Sequence, residues 1–230
     1  MAPLLAERRI ADELMDDPAL DPGTYRAVLA DLARVNTVTL ARRPTLAFVR
    51  RAVGRRKAFR LLDVGFGDGD MLRAIARWAQ RRGIAPELTG IDLNPRSKFA
   101  AEREPGALPI RYLTGDFADL AGQEWDCVIS SLVAHHMSEP ELVTFLRFME
   151  AEGGAGWFVN DLDRHPLAYA AWPLLARAAG WHRIVRLDGH TSIARSFRTA
   201  EWHALLGRAG ISAARVTRQF PFRLCVERLR

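Results

Sequence analysis

Between residues 61 and 72 the chain reads Leu-Leu-Asp-Val-Gly-Phe-Gly-Asp-Gly-Asp-Met-Leu. Leu61, Leu62 and Val64 form the short apolar run of a buried strand. Glycines follow at 65, 67 and 69, and Leu72, Ile75, Ala76 and Ala79 then recur at helical spacing as far as Gly83. A strand that enters a helix through such a turn lets backbone approach a ligand closely and aims backbone N–H groups at it. Asp63, closing the strand, is placed to accept a hydrogen bond or to pair with a cation.

The same rhythm continues downstream. Strands are predicted at 59–64, 87–93, 110–113, 125–133 and 156–160, separated by helices over 71–82, 97–104 and from Ser138 to about Ala151. The helix from Ser138 opens with a Ser-x-x-Glu capping box made by Ser138 and Glu141. Alternation of this kind implies a parallel sheet with helices on both faces. The helix at 97–104 must stop by Pro105. Residues 161–198 break the pattern, and a connection that long is usually functional. It contains an apolar helical stretch, 167–181, interrupted by Pro173, and a loop over 188–197. Thr199 caps a further helix ending at Gly210, and strands at 212–220 and 223–229, joined around Pro221, must be antiparallel.

Residues 1–57 carry no strand or glycine loop. Asp21 and Pro22 read as an N-cap and first helical residue, followed by an apolar face of Tyr25, Val28, Leu29, Leu32 and Val35. A second helical segment starts near Pro44. This arm cannot be a catalytic core by itself, but it can cover one. We therefore divide the chain into a helical arm or lid, 1–57, and a domain over 58–230 with an insertion at 161–198.

The net charge of +6 invites nucleic acid as a partner. The positive charge is nearly all arginine spread along the chain, with Lys57 and Lys98 the two lysines, so a nucleic-acid partner is not expected. The dense cluster Arg50, Arg51, Arg55, Arg56 and Lys57 reads as a solvated helix end. The opening MAPLLAERRI lacks an apolar signal core, and no stretch is apolar enough to span a membrane. Cys127 and Cys225 fall in predicted strands far apart and read as buried reduced thiols, which fits a cytoplasmic protein. Peripheral membrane contact and oligomeric state are left open.

Ligands of open parallel sheets bind at the carboxyl ends of the strands. Those ends supply Asp63 with the glycine turn, Asp92, then Asp116 and Phe117, then Ser130 through His136, and finally Asn160 and Asp161. An acid ending the second strand suits a ribose diol. A dinucleotide site fits that spacing too, but it calls for G-x-G-x-x-G. Here the turn is G-x-G-x-G, with Asp63, Asp68 and Asp70 around it, which suits a ligand with a positive end.

The set Asp63-x-Gly65-x-Gly67-x-Gly69, Asp92 in GIDLNP, Gly115-Asp116-Phe117 and the segment ending His135-His136 resembles the class I S-adenosylmethionine-dependent methyltransferases over residues 59–161. The resemblance implies an α/β, Rossmann-like doubly wound seven-stranded sheet with an antiparallel last strand. It implies that Asp63, Gly65, Gly67 and Gly69 hold the amino-acid end of S-adenosyl-L-methionine, and that Phe66, replacing a small residue, tightens that pocket. Asp92 would bind the ribose. Asp116 would meet the adenine edge, with Leu93 and Phe117 on its faces, and Ser131 would complete the cofactor site. The strand-four tail lacks the Asn/Asp-Pro-Pro-aromatic motif of base N-methylating enzymes. It is similar to small-molecule methyltransferases of ubiquinone-biosynthesis and polyketide or phenolic-lipid tailoring type.

On this resemblance the acceptor is a hydrophobic small molecule methylated on a phenolic hydroxyl. Methylation of carbon, an RNA substrate and a non-catalytic cofactor-binding role are alternatives. A phenol, with a pKa of about 10, needs a base, and histidine contributes typically ~100–10,000-fold. His135 and His136 are the candidates. In extended chain they would point opposite ways, and His135 is preferred. His165 and His190 rank second, and His182 and His203 read as surface or helix residues. Arg195 and Arg198 read as solvated, with binding of an acceptor carboxylate as the alternative. Tyr169, Trp172 and Trp181 would line a lid. No metal is expected, although Asp161 and Asp163 leave magnesium open.

Overall fold

The computed structural model describes residues 5–103 and 109–230. The expected helix end at Glu104 and Pro105, and Met1–Leu4 of the opening stretch, lie outside them. Helix α1 (Pro22–Val38) begins as expected, with Asp21 Oδ2 accepting from Thr24 N at 2.8 Å and Pro22 at the first position. Helix α2 (Arg42–Val53) buries Phe48, Val49, Ala52 and Val53. The α/β part then runs β1 (Ala58–Val64), α3 (Asp70–Arg81), β2 (Ala85–Asp92), α4 (Pro95–Glu102), β3 (Ile110–Thr114), β4 (Trp125–Ser131), α5 (Glu139–Glu152) and β5 (Gly153–Leu162). Helices α6 (Pro166–Ala178), α7 (Arg183–Arg195) and α8 (Thr199–Ala209) precede β6 (Arg215–Gln219) and β7 (Arg223–Leu229).

The strands form one seven-stranded sheet in the order β3-β2-β1-β4-β5-β7-β6. β1 pairs in parallel with both β2 and β4, so the strand order reverses there and a crevice opens beyond their carboxyl ends. β7 inserts between β5 and β6 and runs antiparallel to both. Leu224, Cys225 and Val226 on β7 are buried, whereas exposed Arg215, Arg218 and Gln219 mark β6 as the edge strand.

Side chains alternate across the sheet. Leu61 points with Phe48, Leu72 and Ile75 into one core layer, while Leu62 joins Leu146, Trp157 and Trp202 in the other. Phe48 stacks on Phe158 of β5 with ring centroids 5.1 Å apart, so α2 belongs to the main core. Helix α1 packs differently: Val28 and Val35 meet Ala176, Trp181 and Val185 of the insertion. The arm is thus rooted by α2 and spread over the crevice by α1. Cys127 and Cys225 are free and buried, and burial pushes both thiols up to about 12.

Several expectations need correcting. β4 stops at Ser131 instead of Val133. Leu132 takes a left-handed φ of 62° and a 3-10 turn follows at Ala134–His136, so the extended-chain argument about the two histidines does not apply. The stretch 188–197 is helical up to Arg195, not a loop. A Cβ on Gly189 would lie 2.2 Å from the Trp172 ring, so this glycine is needed for helix packing. Pro173 lies inside α6 without ending it. Thr199 is the first residue of α8, and Arg198 precedes it as the cap, its N–H donating to Glu201 Oε2 at 2.7 Å. In the basic cluster, Arg51 pairs with Glu227 and Arg56 approaches Asp126, so it is partly neutralised.

Candidate active site

At the end of β1, Gly65 and Gly67 take φ of 74° and 58°. A Cβ on Gly65 would sit 2.2 Å from Val133 Cγ2, so this glycine lets the β4 tail close against the turn. A Cβ on Gly67 meets nothing within 4 Å: it faces open space in the crevice. Gly69 caps α3 in a left-handed conformation, and Phe66 packs on Tyr112 with centroids 4.9 Å apart. Asp63 is buried and its Oδ1 has no hydrogen-bond partner. Burial, then the neighbouring charges of Asp70 and Asp92, raises its carboxyl well above the usual range.

The other two acids of the turn also line the cavity, but each has an arginine beside it. Asp68 pairs with Arg73 at 3.2 Å, and Asp70 lies 3.6 Å from Arg42. Burial, with Asp68 nearby, still holds Asp70 up to about 6. Among the described residues, the carboxyl of the turn with no arginine beside it is therefore Asp63. An orphaned acid beside a turn whose middle glycine opens on empty space fits the ammonium-bearing end of an amino acid.

Asp92 ends β2. Its Oδ2 accepts from Gly67 N at 3.1 Å and its Oδ1 from Asn94 N at 2.9 Å. Each oxygen keeps a lone pair for a diol. The arm meets this corner through Tyr25, whose hydroxyl lies 3.1 Å from Ser97 Oγ and accepts from Asn94 Nδ2 at 3.2 Å. Leu93 is exposed, and Phe117 packs on Phe145 and Phe148 while lining the crevice, so both offer apolar faces at the β2 and β3 ends. Asp116 is exposed, accepts from Ala118 N at 2.9 Å and does not line the cavity. Ser131 lines it, with its hydroxyl 3.4 Å from Thr45 Oγ1.

The 3-10 turn after β4 places His135 and His136 side by side, ring centroids 4.3 Å apart. His135 is buried. Its Nδ1 lies 2.7 Å from Asp161 Oδ1 and its Nε2 3.5 Å from Glu13 Oε1. Burial opposes its charge, but Asp161 and Glu13 outweigh burial and hold the imidazolium up to about 9. The reciprocal effects show in the acids. Burial raises both, yet His135 brings Asp161 down, and the two histidines with Ser192 bring Glu13 down to about 2. His136 is half-buried, with Nε2 3.7 Å from Glu13 Oε1 and Nδ1 3.3 Å from Asp16 Oδ2. Arg8 and Arg195 hold the turn by donating to the carbonyls of His135, His136 and Met137.

Glu13, His135 and His136 also bring three possible metal-ligand atoms within 4.8 Å of one another. Glu13 Oε1 already accepts from Ser192 Oγ at 2.7 Å, and Arg195 lies 3.9 Å from it. The acids left open for magnesium are engaged elsewhere: Asp161 by His135, and Asp163 by Arg218 at 2.9 Å.

All these ends open on one cavity of 540 Å³, walled by Val28, Leu29 and Leu32 of α1, Trp172 and Leu175 of α6, and Phe222. Arg195 and Arg198 are neither solvated nor pointed into it. Arg195 bonds backbone carbonyls, and Arg198 donates to Leu5 O. His165 and His182 cap α6 and α7, and His190 stacks on Tyr169 at 3.7 Å. Sequence reasoning missed Glu13, Tyr25 as a contact to the β2 corner, and Arg223. Glu13 lay in a segment without periodicity, and Arg223 looked like one more strand arginine.

The reversed strand order, the open glycine turn and the acid ending β2 are the arrangement expected of an α/β methyltransferase domain. Residues 61–151 match the family described as a methyltransferase domain. A ubiquinone biosynthesis O-methyltransferase of Cereibacter sphaeroides strain KD131 is 29% identical over 119 residues, 50% of this chain and 45% of the relative. One from Ruegeria pomeroyi is 26% identical over 129 residues, 52% and 49%. The chain thus spans about half the length of the curated relatives it matches. Among solved structures, the plantazolicin methyltransferase BpumL in complex with SAH superposes with a TM-score of 0.64 at 15% identity, covering 88% of this chain and 74% of that one. Human N-acetylserotonin methyltransferase in complex with SAM gives 0.63 at 17%, covering 91% and 56%. Together these findings show a methyltransferase domain over residues 61–151 and the fold of the class I S-adenosylmethionine-dependent methyltransferases. No helix among the described residues is long and apolar enough to cross a membrane.

Proposed function

We propose that the chain binds S-adenosylmethionine across the ends of β1, β2 and β4 and methylates a hydroxyl of an apolar, ring-bearing small molecule held under the arm. One observation carries the reading: a histidine and carboxylate cluster lines the same cavity as the apolar residues of α1 and α6, directly after the strand that borders the cofactor residues. When bound, the cofactor supplies an electrophilic methyl on a sulfonium. The protein's tasks are then to align the acceptor, exclude water and remove a proton.

Asp63 would receive the ammonium, Asp92 the ribose hydroxyls, and Leu93 and Phe117 the base. Asp116, from the rim, fits this set least well. Of the two histidines, His136 is the better proton acceptor. His135, held up at about 9, is an imidazolium at neutral pH and has no free lone pair to offer. Its work is positional: it keeps Glu13 ionised beside His136, and Glu13 in turn orients the second ring. The apolar walls from α1 and α6 shut out water.

The relatives named for ubiquinone biosynthesis support an O-methylated acceptor, and the cavity's few cationic groups count against RNA. The test is transfer of labelled methyl from S-adenosylmethionine to long-chain phenols, with the product's methyl located by NMR. Methylated oxygen supports the proposal and methylated carbon replaces it. Cofactor binding without transfer to any phenol would point to the non-catalytic role.

A further inference from the structure

Arg223 opens β7 and is 2% exposed. Among the described residues lining the cavity it is the one arginine or lysine. Its Nη2 donates to Thr39 Oγ1 at 3.0 Å, while among the described residues Nε and Nη1 find no acceptor and it forms no ion pair. A guanidinium has five N–H donors in a planar fork, so three of them face no acceptor in the protein. Every other buried arginine discussed above is spent on carbonyls or carboxylates. A buried charge without a hydrogen-bonded partner is among the costliest features a fold can keep, and burial lowers this group to about 10 even against the raising influence of Asp161 and Cys225.

We infer that Arg223 is the receptor for a carboxylate carried by the acceptor, so that the substrate is an apolar acid and not a neutral phenol. This rests on the proposed methyl transfer and deepens it. Position argues for the acceptor over the cofactor's own carboxylate. The proposed cofactor residues lie on β2, β1 and β4, and Arg223 lies on the far side of β5. It is three strand spacings from β1, roughly 14 Å. It pairs in register with Leu162 and sits beside Phe222 and Pro221, which line the acceptor end with it. The fork geometry selects a carboxylate's two oxygens over a single hydroxyl.

Two ligands identical but for the acid test this: 2-hydroxy-6-decylbenzoate and 3-decylphenol. Calorimetry of each is performed on the full chain saturated with S-adenosylhomocysteine, for wild type, Arg223→Gln and Arg223→Lys. Wild type is expected to bind the benzoate on the order of 100-fold more tightly than the phenol. Arg223→Gln should erase most of that ratio, and Arg223→Lys, which keeps charge but loses the fork, should fall between. Equal binding of the two ligands by wild type overturns the inference. So does a tenfold loss of S-adenosylhomocysteine affinity in Arg223→Gln with the ligand ratio intact, which would assign Arg223 to the cofactor. If Arg223→Gln does not fold, the wild-type ratio decides. The measurement needs no turnover, so a failure of the methyl-transfer proposal appears separately, as binding without transfer.

Discussion

His135 Nδ1 sits 2.7 Å from Asp161 Oδ1, and Asp161 Oδ2 also accepts the His135 backbone N–H at 2.8 Å. One carboxylate on β5 thus fixes both the ring and the backbone of the turn that follows β4. The pair joins neighbouring strands at the point where the strand order reaches the site.

The His135 pair makes stability depend on pH with a defined sign. A histidine raised from 6.5 to about 9 stabilises the fold fully below 6.5, and the contribution is lost as pH rises through 9. Asp161, lowered, contributes above its ordinary range and loses that as pH falls through its folded value. The melting temperature should therefore decline between pH 6.5 and 9, following a loss of stability on the order of 3 kcal/mol. His135→Gln should melt lower at pH 6.5 and show a flatter profile. A wild-type melting curve that does not change over this range contradicts the imidazolium assignment.

Substitution at His136 should act on rate. His136→Gln is expected to cut methyl transfer by ~100–10,000-fold while leaving S-adenosylhomocysteine binding and the melting temperature near wild type. Raising the pH should partly restore the variant, because an already ionised phenol needs no base. Full activity in this variant at neutral pH would remove His136 from the chemistry.

The two crevice glycines should separate stability from binding. Gly65→Ala drives a Cβ into Val133 and should unfold readily or fail to accumulate. Gly67→Ala has room, and its cost is confined to a left-handed alanine, about 1–2 kcal/mol. It should fold, yet bind S-adenosylhomocysteine at least tenfold more weakly by calorimetry, since the new methyl occupies the crevice. Asp92→Ala should weaken the same ligand comparably. Unchanged affinity in both variants would move the cofactor elsewhere.

Chelation discriminates the proton cluster from a metal centre. Glu13, His135 and His136 have the right ligand types. On the present reading, dialysis against EDTA leaves transfer unchanged and added zinc inhibits by tying up His136. Loss of activity on dialysis with recovery on adding metal would reassign the cluster.

Most of the α/β core was legible in the sequence because each element announces itself locally. The glycine turn, the Ser138–Glu141 box, the Asp21-Pro22 start and the strand-end acids are short-range patterns set by backbone requirements. What was not legible depends on distant pairs. The stretch 188–197 read as a loop because the packing partner of Gly189, Trp172, is on another helix. The two histidines were assigned opposite faces because nothing local signals the left-handed Leu132 that ends the strand. Asp68 and Asp70 looked available to a ligand until Arg73 and Arg42 were found beside them. Arg195, Arg198 and Arg223 are alike in sequence, and only the packed structure separates two that brace the backbone from one that faces the cavity.

Tyr25 touches the corner where the ribose is expected, and Val28, Leu29 and Leu32 on the same helix wall the acceptor space. If that shared wall is the part that moves, the two compartments share one exit. Departure of α1 would release the spent cofactor and expose the methylated product together, so neither could be exchanged while the other stayed sealed. Leu40, the left-handed residue between α1 and α2, is where such a departure would pivot, and if it paced turnover a more viscous solvent would slow every acceptor to the same degree.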